Sequence, residues 1–134
     1  ELYLGGGYLL NDAAGRALSG TDLNRLKSIA ASHKMNVVVG YYERDDDDDD
    51  ALYNSAMAID SSGHIVSNYR KSHLFGANEK KTFSPGKKMC QPFDMAGMKV
   101  TISICYDVEF PETVRLAALG GAALLLVPTA NMHP

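Results

Sequence analysis

The stretch that decides the fold reads MKVTISICYDVEFPETVRLAALGGAALLLVPTANM and covers residues 98–132. Its opening part is rich in β-branched residues and predicts a buried strand that ends at Cys105. Pro111 suits the first turn of a helix, where no backbone N–H is needed. The run at 122–127 is wholly apolar and predicts a second buried strand. The stretch therefore predicts a strand, a sharp turn, a helix and a strand, with a thiol at the turn.

The position of Cys105 allows two interpretations. A side chain at a strand-to-helix turn is exposed at the end of the sheet, beside backbone N–H groups, so it could act as a nucleophile. A cysteine on a strand can equally be an inert core residue. Catalysis would require a base or an electrostatic field that favours the thiolate. It would also require a cation or N–H groups that stabilise the oxyanion, and an acid that protonates the leaving amine. The residues around Cys105 leave both interpretations open.

The length and composition of the chain fit one folded domain. It has 134 residues, of which 46% are hydrophobic and 22% are charged, and these values are ordinary for a domain with a buried core. No apolar run is long enough for a membrane span, and no signal pattern opens the chain. The net charge of −3 includes six consecutive aspartates at 45–50. We therefore expect neither a membrane nor a nucleic acid as a partner.

The cysteines and acidic residues indicate neither a disulfide scaffold nor a metal centre. Cys90 and Cys105 are the two cysteines, and we expect free thiols in a reducing compartment, the cytoplasm. No Cys-x-x-Cys or His-x-x-x-His spacing occurs, so no metal is expected. The aspartates at 45–50 lack the glycine and the final glutamate of a calcium loop. We interpret them as a solvated loop between two strands, with cation binding as the weaker alternative.

The remaining sequence predicts one helix followed by three strands. Thr21 can cap a helix that runs to about Lys34, with its apolar residues on one face. Side chains of different polarity alternate along the strands, as expected in a sheet. The second and third strands are separated by a three-residue turn, as in a hairpin. The predicted segments are strands at 37–42, 51–60 and 64–71, a turn at 61–63 and a loop at 75–88. This order predicts an α/β fold with mixed strand pairing.

Three motifs resemble those of the nitrilase superfamily of carbon–nitrogen hydrolases, on its amidase side. They are NYRKSHLFG at 68–76, ICYDVEFPE at 104–112 and PTANM at 128–132. The resemblance implies an α/β fold that is part of a four-layer α-β-β-α sandwich with a mixed sheet. It also implies that residues 1–134 are a partial domain without the family's opening strand and helix and its C-terminal part. We therefore expect the isolated chain to be poorly active or inactive.

The resemblance assigns four catalytic positions. Cys105 stands at the position of the family's nucleophile, and Lys71 stands at the position of its catalytic lysine. Without the resemblance, Lys71 would be interpreted as an exposed lysine at the end of a strand. Glu79 has the spacing of a second glutamate that positions the substrate or the lysine, and is otherwise a loop residue. Glu1 resembles the general base, because Gly7 and Tyr8 follow it as in the family pattern, with one additional glycine. A first residue is otherwise expected to be disordered.

Three further residues are expected to contact the substrate. The backbone N–H of Tyr106 would be a second oxyanion donor beside Lys71. Family members that act on carboxylate-bearing substrates tend to carry arginine at the position of Glu109, and a glutamate would repel such substrates. Asn131 follows the last strand as a pocket residue. The resemblance thus implies hydrolysis of a small neutral or amine-bearing amide to carboxylate and ammonia, through a cysteine thioester and without a cofactor.

Two alternatives remain open. A Cys-His hydrolase would use His73 or His133 as its base and would survive the loss of Lys71. A non-catalytic truncated homologue would act only by association with a partner. Family members usually assemble through the helix after the cysteine, here about Pro111–Leu119, so the resemblance implies a homo-oligomer through that helix.

Overall fold

The computed structural model of the chain describes residues 1–8, 10–45 and 51–131. It contains three α-helices and six β-strands in these ranges, with short 3₁₀ turns at Ala14–Arg16 and Cys105–Glu109. These elements are, in chain order, α1 (Gly20–His33), β1 (Val37–Arg44), β2 (Leu52–Ile59), β3 (Ile65–Arg70), α2 (Gly76–Thr82), β4 (Phe93–Met95), β5 (Met98–Ile102), α3 (Pro111–Leu119) and β6 (Leu124–Leu126).

The strands form two sheets of three strands each. In the first sheet β2 lies between β1 and β3 and pairs antiparallel with both, which confirms the predicted hairpin. In the second sheet β5 pairs antiparallel with β4 and parallel with β6. A parallel neighbour requires a crossover connection, and the turn at Cys105–Glu109 together with α3 supplies it. Mixed pairing therefore occurs in the second sheet, where the 98–132 stretch lies.

The two sheets pack against each other through a buried apolar cluster. Ala56, Ala58 and Tyr69 of the first sheet contact Ile102 of β5 and Ile104, which follows it. Because side chains alternate along a strand, Thr101 and Ser103 point to the opposite side of the second sheet.

Helices cover the outer faces of both sheets. Ala30 of α1 is fully buried against Tyr41 and Met57 of the first sheet. On the other side of the molecule, Thr113 and Ala117 of α3 are buried beside β5. Helix, sheet, sheet and helix therefore stack in the α-β-β-α order, and the fold prediction is confirmed.

Two local predictions are wrong. The cap of α1 is Ser19 rather than Thr21, because Ser19 and Asp22 form a reciprocal capping box with N···O distances of 3.2 and 3.3 Å. The predicted loop at 75–88 contains α2. The Glu79 carboxylate accepts a hydrogen bond of 2.7 Å from the Phe75 N–H at the start of this helix, which satisfies a donor that a helix end leaves free.

Other predictions have simpler outcomes. Cys90 and Cys105 are free thiols, as expected. Asp45 is not a freely solvated charge, since it forms an ion pair of 2.9 Å with Arg70, while 46–50 lie outside the described residues. None of the helices in the described ranges is long and apolar enough to span a membrane.

Candidate active site

Cys105 occupies a strained position between β5 and α3. Its φ of 45° lies in the left-handed region, which residues with a Cβ rarely adopt. The backbone around it is held by hydrogen bonds from the Cys105 N–H to the Pro128 carbonyl, 3.1 Å, and from the Asp107 N–H to the Ile104 carbonyl, 3.0 Å. Such strain concentrates at functional sites, where the surrounding structure enforces it.

The Cys105 side chain lines a cavity of about 530 Å³. Six of the seven residues predicted from the sequence line this same cavity, and aromatic side chains form part of its wall. The lining residues are Glu1, Tyr8, Phe75, Glu79, Cys105, Tyr106, Val108, Glu109, Thr129, Ala130 and Asn131. The turn after β5, the segment after β6 and the start of α2 thus converge on one space.

Lys71, the seventh predicted residue, does not line the cavity but lies between the carboxylates of two residues that do. Its Nζ is 2.5 Å from Glu1 Oε1 and 2.9 Å from Glu79 Oε1. The side chains of Lys71 and Glu79 are 0% exposed and that of Glu1 is 1% exposed. The alternative in which Glu1 is a disordered first residue is therefore wrong. A buried ammonium needs paired charges, and these two carboxylates hold the chain start and α2 against it.

Backbone hydrogen bonds fix the place of Lys71. It directly follows β3, and its N–H donates to the Asn54 carbonyl on β2 at 2.8 Å. Its own carbonyl accepts from the Gly86 N–H at 2.8 Å. Lys71 is therefore a buried residue at the end of the first sheet, rather than the exposed strand-end lysine that its local sequence also allowed.

Asn54 and Tyr8 hold the two carboxylates, and neither residue is among the predicted site residues. Asn54 Nδ2 donates to Glu1 Oε1 at 2.7 Å and to Glu79 Oε1 at 3.4 Å. The Tyr8 hydroxyl donates to Glu79 Oε1 at 2.7 Å. The available signal for Asn54 was an amide inside the largely apolar β2, since a buried polar side chain requires partners.

The charges of the cluster act on the Cys105 thiol. Burial raises the pKa of this thiol, and the nearby Glu1 carboxylate, which accepts a hydrogen bond from it, raises the pKa further, against the attraction of Lys71. Burial also opposes ionisation of Glu1, but its contacts with Lys71 and Asn54 hold the pKa of the Glu1 carboxyl below its ordinary value. The resting pair is therefore a thiol beside a carboxylate, which suits proton transfer from sulfur to Glu1.

Lys71 remains an ammonium in this environment. Burial favours its neutral form, but hydrogen bonds and charge attraction from Glu1 and Glu79 raise the pKa of Lys71 above its ordinary value. Burial raises the pKa of the Glu79 carboxyl, although Lys71 and the Phe75 N–H oppose that rise. The site thus presents a fixed positive charge close to a protonated thiol.

His73 is directed away from this arrangement. Its Nδ1 is 2.9 Å from Asp107 Oδ1, and its ring stacks on Phe110 with 4.0 Å between the ring centres. It is not among the residues that line the Cys105 cavity. The geometry therefore does not favour His73 as a Cys-His base, and His133 lies outside the described residues.

Potential metal ligands are not grouped in the described part of the chain. Within 1–8, 10–45 and 51–131, no three His, Cys, Asp or Glu residues are arranged to hold an ion.

The whole chain matches one known protein family and several hydrolases of known sequence. The family model described as "Carbon-nitrogen hydrolase" matches residues 1–134. The chain is 40% identical over 137 residues to "Hydrolase in pqqF 5'region" of Pseudomonas protegens, covering 100% of this chain and 47% of that protein. It is 35% identical over 132 residues to an (R)-stereoselective amidase of a Pseudomonas species, covering 98% of this chain and 45% of that protein.

Solved structures agree with this likeness. A mutant of the amidase from Nesterenkonia sp. AN1, with acrylamide added to its active-site cysteine, has a TM-score of 0.84 and 31% identity, covering 95% of this chain and 50% of that chain. The present chain thus spans about half the length of the relatives that it matches. A family match over the whole chain, with relatives and a solved structure above 30% identity, shows that the chain belongs to the carbon–nitrogen hydrolase family.

Proposed function

We propose that the chain carries the active site of a cysteine-dependent amidase. The observation that carries this proposal is the buried ion-pair cluster of Glu1, Lys71 and Glu79, two of whose members line the same cavity as Cys105. It combines a base, a fixed cation and a nucleophile in one place, which are the three aids that thiol attack on an amide requires.

In the first half of the reaction, Glu1 takes the proton of the Cys105 thiol as sulfur bonds to the amide carbonyl carbon. The negative charge that develops on the carbonyl oxygen is stabilised by the Lys71 ammonium and by the Tyr106 N–H. Tyr106 suits this role because N–H groups at the start of a helical turn have no partner within it. Protonated Glu1 then gives its proton to the amide nitrogen as the carbon–nitrogen bond breaks, and ammonia leaves.

In the second half, water replaces ammonia and cleaves the thioester. Glu1 takes a proton from this water, whose oxygen bonds to the acyl carbon, and the same donors stabilise the second oxyanion. The carbon–sulfur bond breaks and Glu1 returns its proton to the Cys105 sulfur. The product acid loses its remaining proton to the solvent and leaves as a carboxylate. Glu79 keeps Lys71 in place throughout, and Asn54 and Tyr8 keep the carboxylates in place through the hydrogen bonds described above. No cofactor enters this scheme.

The cavity favours a neutral or amine-bearing amide. Glu109 is exposed and lines the cavity together with Asn131, Phe75 and Tyr106. A carboxylate at this position repels anionic substrates and attracts an ammonium group. The aromatic rings of Phe75 and Tyr106, whose centres are 5.2 Å apart, offer apolar surface for the rest of the substrate.

The proposal is tested by the reactivity of Cys105. We expect acrylamide to add to this thiol and to raise the protein mass by one acrylamide, and we expect Cys105→Ser to lose the adduct while Cys90→Ser keeps it. Ammonia release from simple amides is measured in parallel. The complete gene product is used, because the proposal treats residues 1–134 as part of a domain as long as those of the relatives. An unreactive Cys105 without ammonia release would favour a homologue that acts only by association.

Substrate charge preference is expected to depend on Glu109. Glu109→Gln should lower kcat/KM for an amine-bearing amide by about threefold to tenfold, because an exposed charge interaction contributes about 1 kcal/mol, and should leave a neutral amide of equal length within twofold. Glu112→Gln, an exposed change on α3 outside the cavity lining, is the control. Equal effects on both amides would contradict a role for Glu109 in selection.

We further propose self-association through α3. Val114, Leu116 and Leu119 are 42%, 54% and 70% exposed, which is an unusual amount of apolar surface for one short helix. Leu119→Glu should shift the complete protein to a smaller species in analytical ultracentrifugation, and an unchanged sedimentation coefficient would refute the interface.

A cytoplasmic location is proposed from the two unpaired cysteines, Cys90 and Cys105, since reducing compartments preserve such thiols. Cell fractionation with an antibody against the chain tests it, and recovery outside the cytoplasm would refute it.

A further inference from the structure

Asp107 is a buried carboxylate that the proposed reaction does not use. It lies two residues after Cys105 and is 0% exposed. Its Oδ2 accepts from the Ile104 N–H at 3.0 Å and from the Tyr69 hydroxyl at 2.9 Å. Its Oδ1 lies 2.9 Å from both the backbone N and the ring Nδ1 of His73. An ionised carboxylate has about four acceptor sites, so these four contacts satisfy it if His73 carries a proton on Nδ1.

These hydrogen bonds join the two halves of the candidate site. Ile104 directly precedes Cys105, and His73 lies two residues after Lys71. Asp107 therefore connects the end of the first sheet, which carries the cation, to the turn of the second sheet, which carries the thiol. Reacting groups must meet to within a fraction of an ångström, and a displacement of about 1 Å can cost about 100-fold in rate.

The contacts also enclose the strained residue. Asp107 accepts from the Ile104 N–H and donates its own N–H to the Ile104 carbonyl at 3.0 Å, so both polar groups of the residue before Cys105 are held. A left-handed conformation persists in a residue with a Cβ only where neighbouring contacts enforce it. Neither Asp107 nor His73 lines the cavity, so neither is placed to contact a substrate.

We propose that Asp107 and His73 are a pair of positioning residues, which set the place of the Cys105 thiol relative to Lys71 and Glu1 by tying the two segments together. The pair acts through the geometry of the nucleophile, and the inference rests on the proposed amidase function.

The test separates the hydrogen bond of His73 from its packing. His73→Phe keeps a ring to stack on Phe110 and removes the Nδ1 donor, whereas His73→Asn loses the ring and places an amide N–H near the former Nδ1. The concentration of active enzyme is determined from the amount of Cys105 that reacts with acrylamide. On that basis we expect His73→Phe to lower kcat about 10- to 100-fold and to keep KM within about threefold of that of the unsubstituted protein. His73→Asn should recover most of that loss, which a purely structural role of the ring would not allow.

The hairpin between β2 and β3 offers a matched control. Asp60 accepts from the Ser62 and His64 N–H groups at 2.8 and 2.9 Å, and His64 Nδ1 lies 3.5 Å from its carboxylate. This is a second aspartate–histidine pair, more exposed than that of Asp107 and His73, and neither of its residues lines the cavity. We expect His64→Phe to leave kcat and the labelling of Cys105 within twofold of the original protein.

The outcomes are distinguishable. A kcat for His73→Phe within threefold of the original, or an equal loss in His73→Asn, would overturn the positioning role. If His73→Phe does not fold, Tyr69→Phe removes one donor to Asp107 and should lower kcat about threefold to tenfold, and no change would likewise overturn the proposal. An original protein that neither hydrolyses amides nor adds acrylamide at Cys105 would instead refute the amidase function.

Discussion

Replacing Lys71 by Met is expected to lower kcat for amide hydrolysis about 1,000-fold or more. Loss of one oxyanion donor alone costs about 100- to 1,000-fold, and Lys71 also orients Glu1, the proposed base. Stability should fall as well, because Glu1 and Glu79 would remain buried without their cation, and breaking such a pair costs about 3–5 kcal/mol. Steady-state kinetics and denaturant unfolding of the complete protein measure the two effects.

Lys99 provides the control for this substitution. It pairs with Asp94 at 2.8 Å, but its side chain is 49% exposed, and an exposed pair contributes about 0–1 kcal/mol. Lys99→Met should therefore leave kcat unchanged and lower the free energy of unfolding only slightly. If Lys71→Met retained hydrolysis within tenfold of the original protein, a Cys-His mechanism would be the better account of the site.

Replacing Glu1 by Gln is expected to slow amide hydrolysis and to make Cys105 reactive at lower pH. Hydrolysis should fall about 100- to 10,000-fold, since a positioned general base contributes that much. Burial raises the pKa of the Cys105 thiol, and the negative charge of Glu1 raises it further, while Lys71 lowers it. Without that charge the pKa falls, so the thiolate forms at lower pH.

This shift is measured as the rate of iodoacetamide alkylation of Cys105 against pH. The midpoint should move to lower pH in Glu1→Gln, because alkylation follows the thiolate fraction. Glu43→Gln is the control, since Glu43 is a largely buried carboxylate that pairs with Arg70 at 2.7 Å and lies outside the cavity lining. A midpoint that stays in place in Glu1→Gln, or moves equally in Glu43→Gln, would contradict the coupling between Glu1 and the thiol.

Local sequence patterns predicted most of the regular structure. The β2–β3 hairpin, β5 and α3 lie where periodicity, turn residues and Pro111 indicated them. The failures are at positions where a tertiary contact outweighs a local preference. The lysine-rich segment around Glu79 has the composition of a loop, yet its glutamate is buried and organises the start of α2.

The candidate site was predictable only through motif resemblance, because its parts are distant in the sequence. Glu1 and Lys71 are separated by 70 positions, and Glu1 and Ala130, whose N–H lies 3.3 Å from Glu1 Oε2, by 129. Asn54, Tyr8 and Asp107 were not assigned roles, since a polar residue in a strand or turn shows its partners only after folding. No periodicity connects such residues, and the sheets alone bring them together.

By itself, the sequence determined that a thiol stands at a strand-to-helix turn and that a strand precedes Lys71, because backbone propensities and side-chain alternation act over a few residues. The tertiary structure decided that Lys71 is buried, that Glu1 is ordered and that the charges of both shift the pKa of the Cys105 thiol. The physical reason is that burying a charge is unfavourable unless opposite charges and hydrogen-bond donors surround it, and those partners are supplied by segments far apart in the chain.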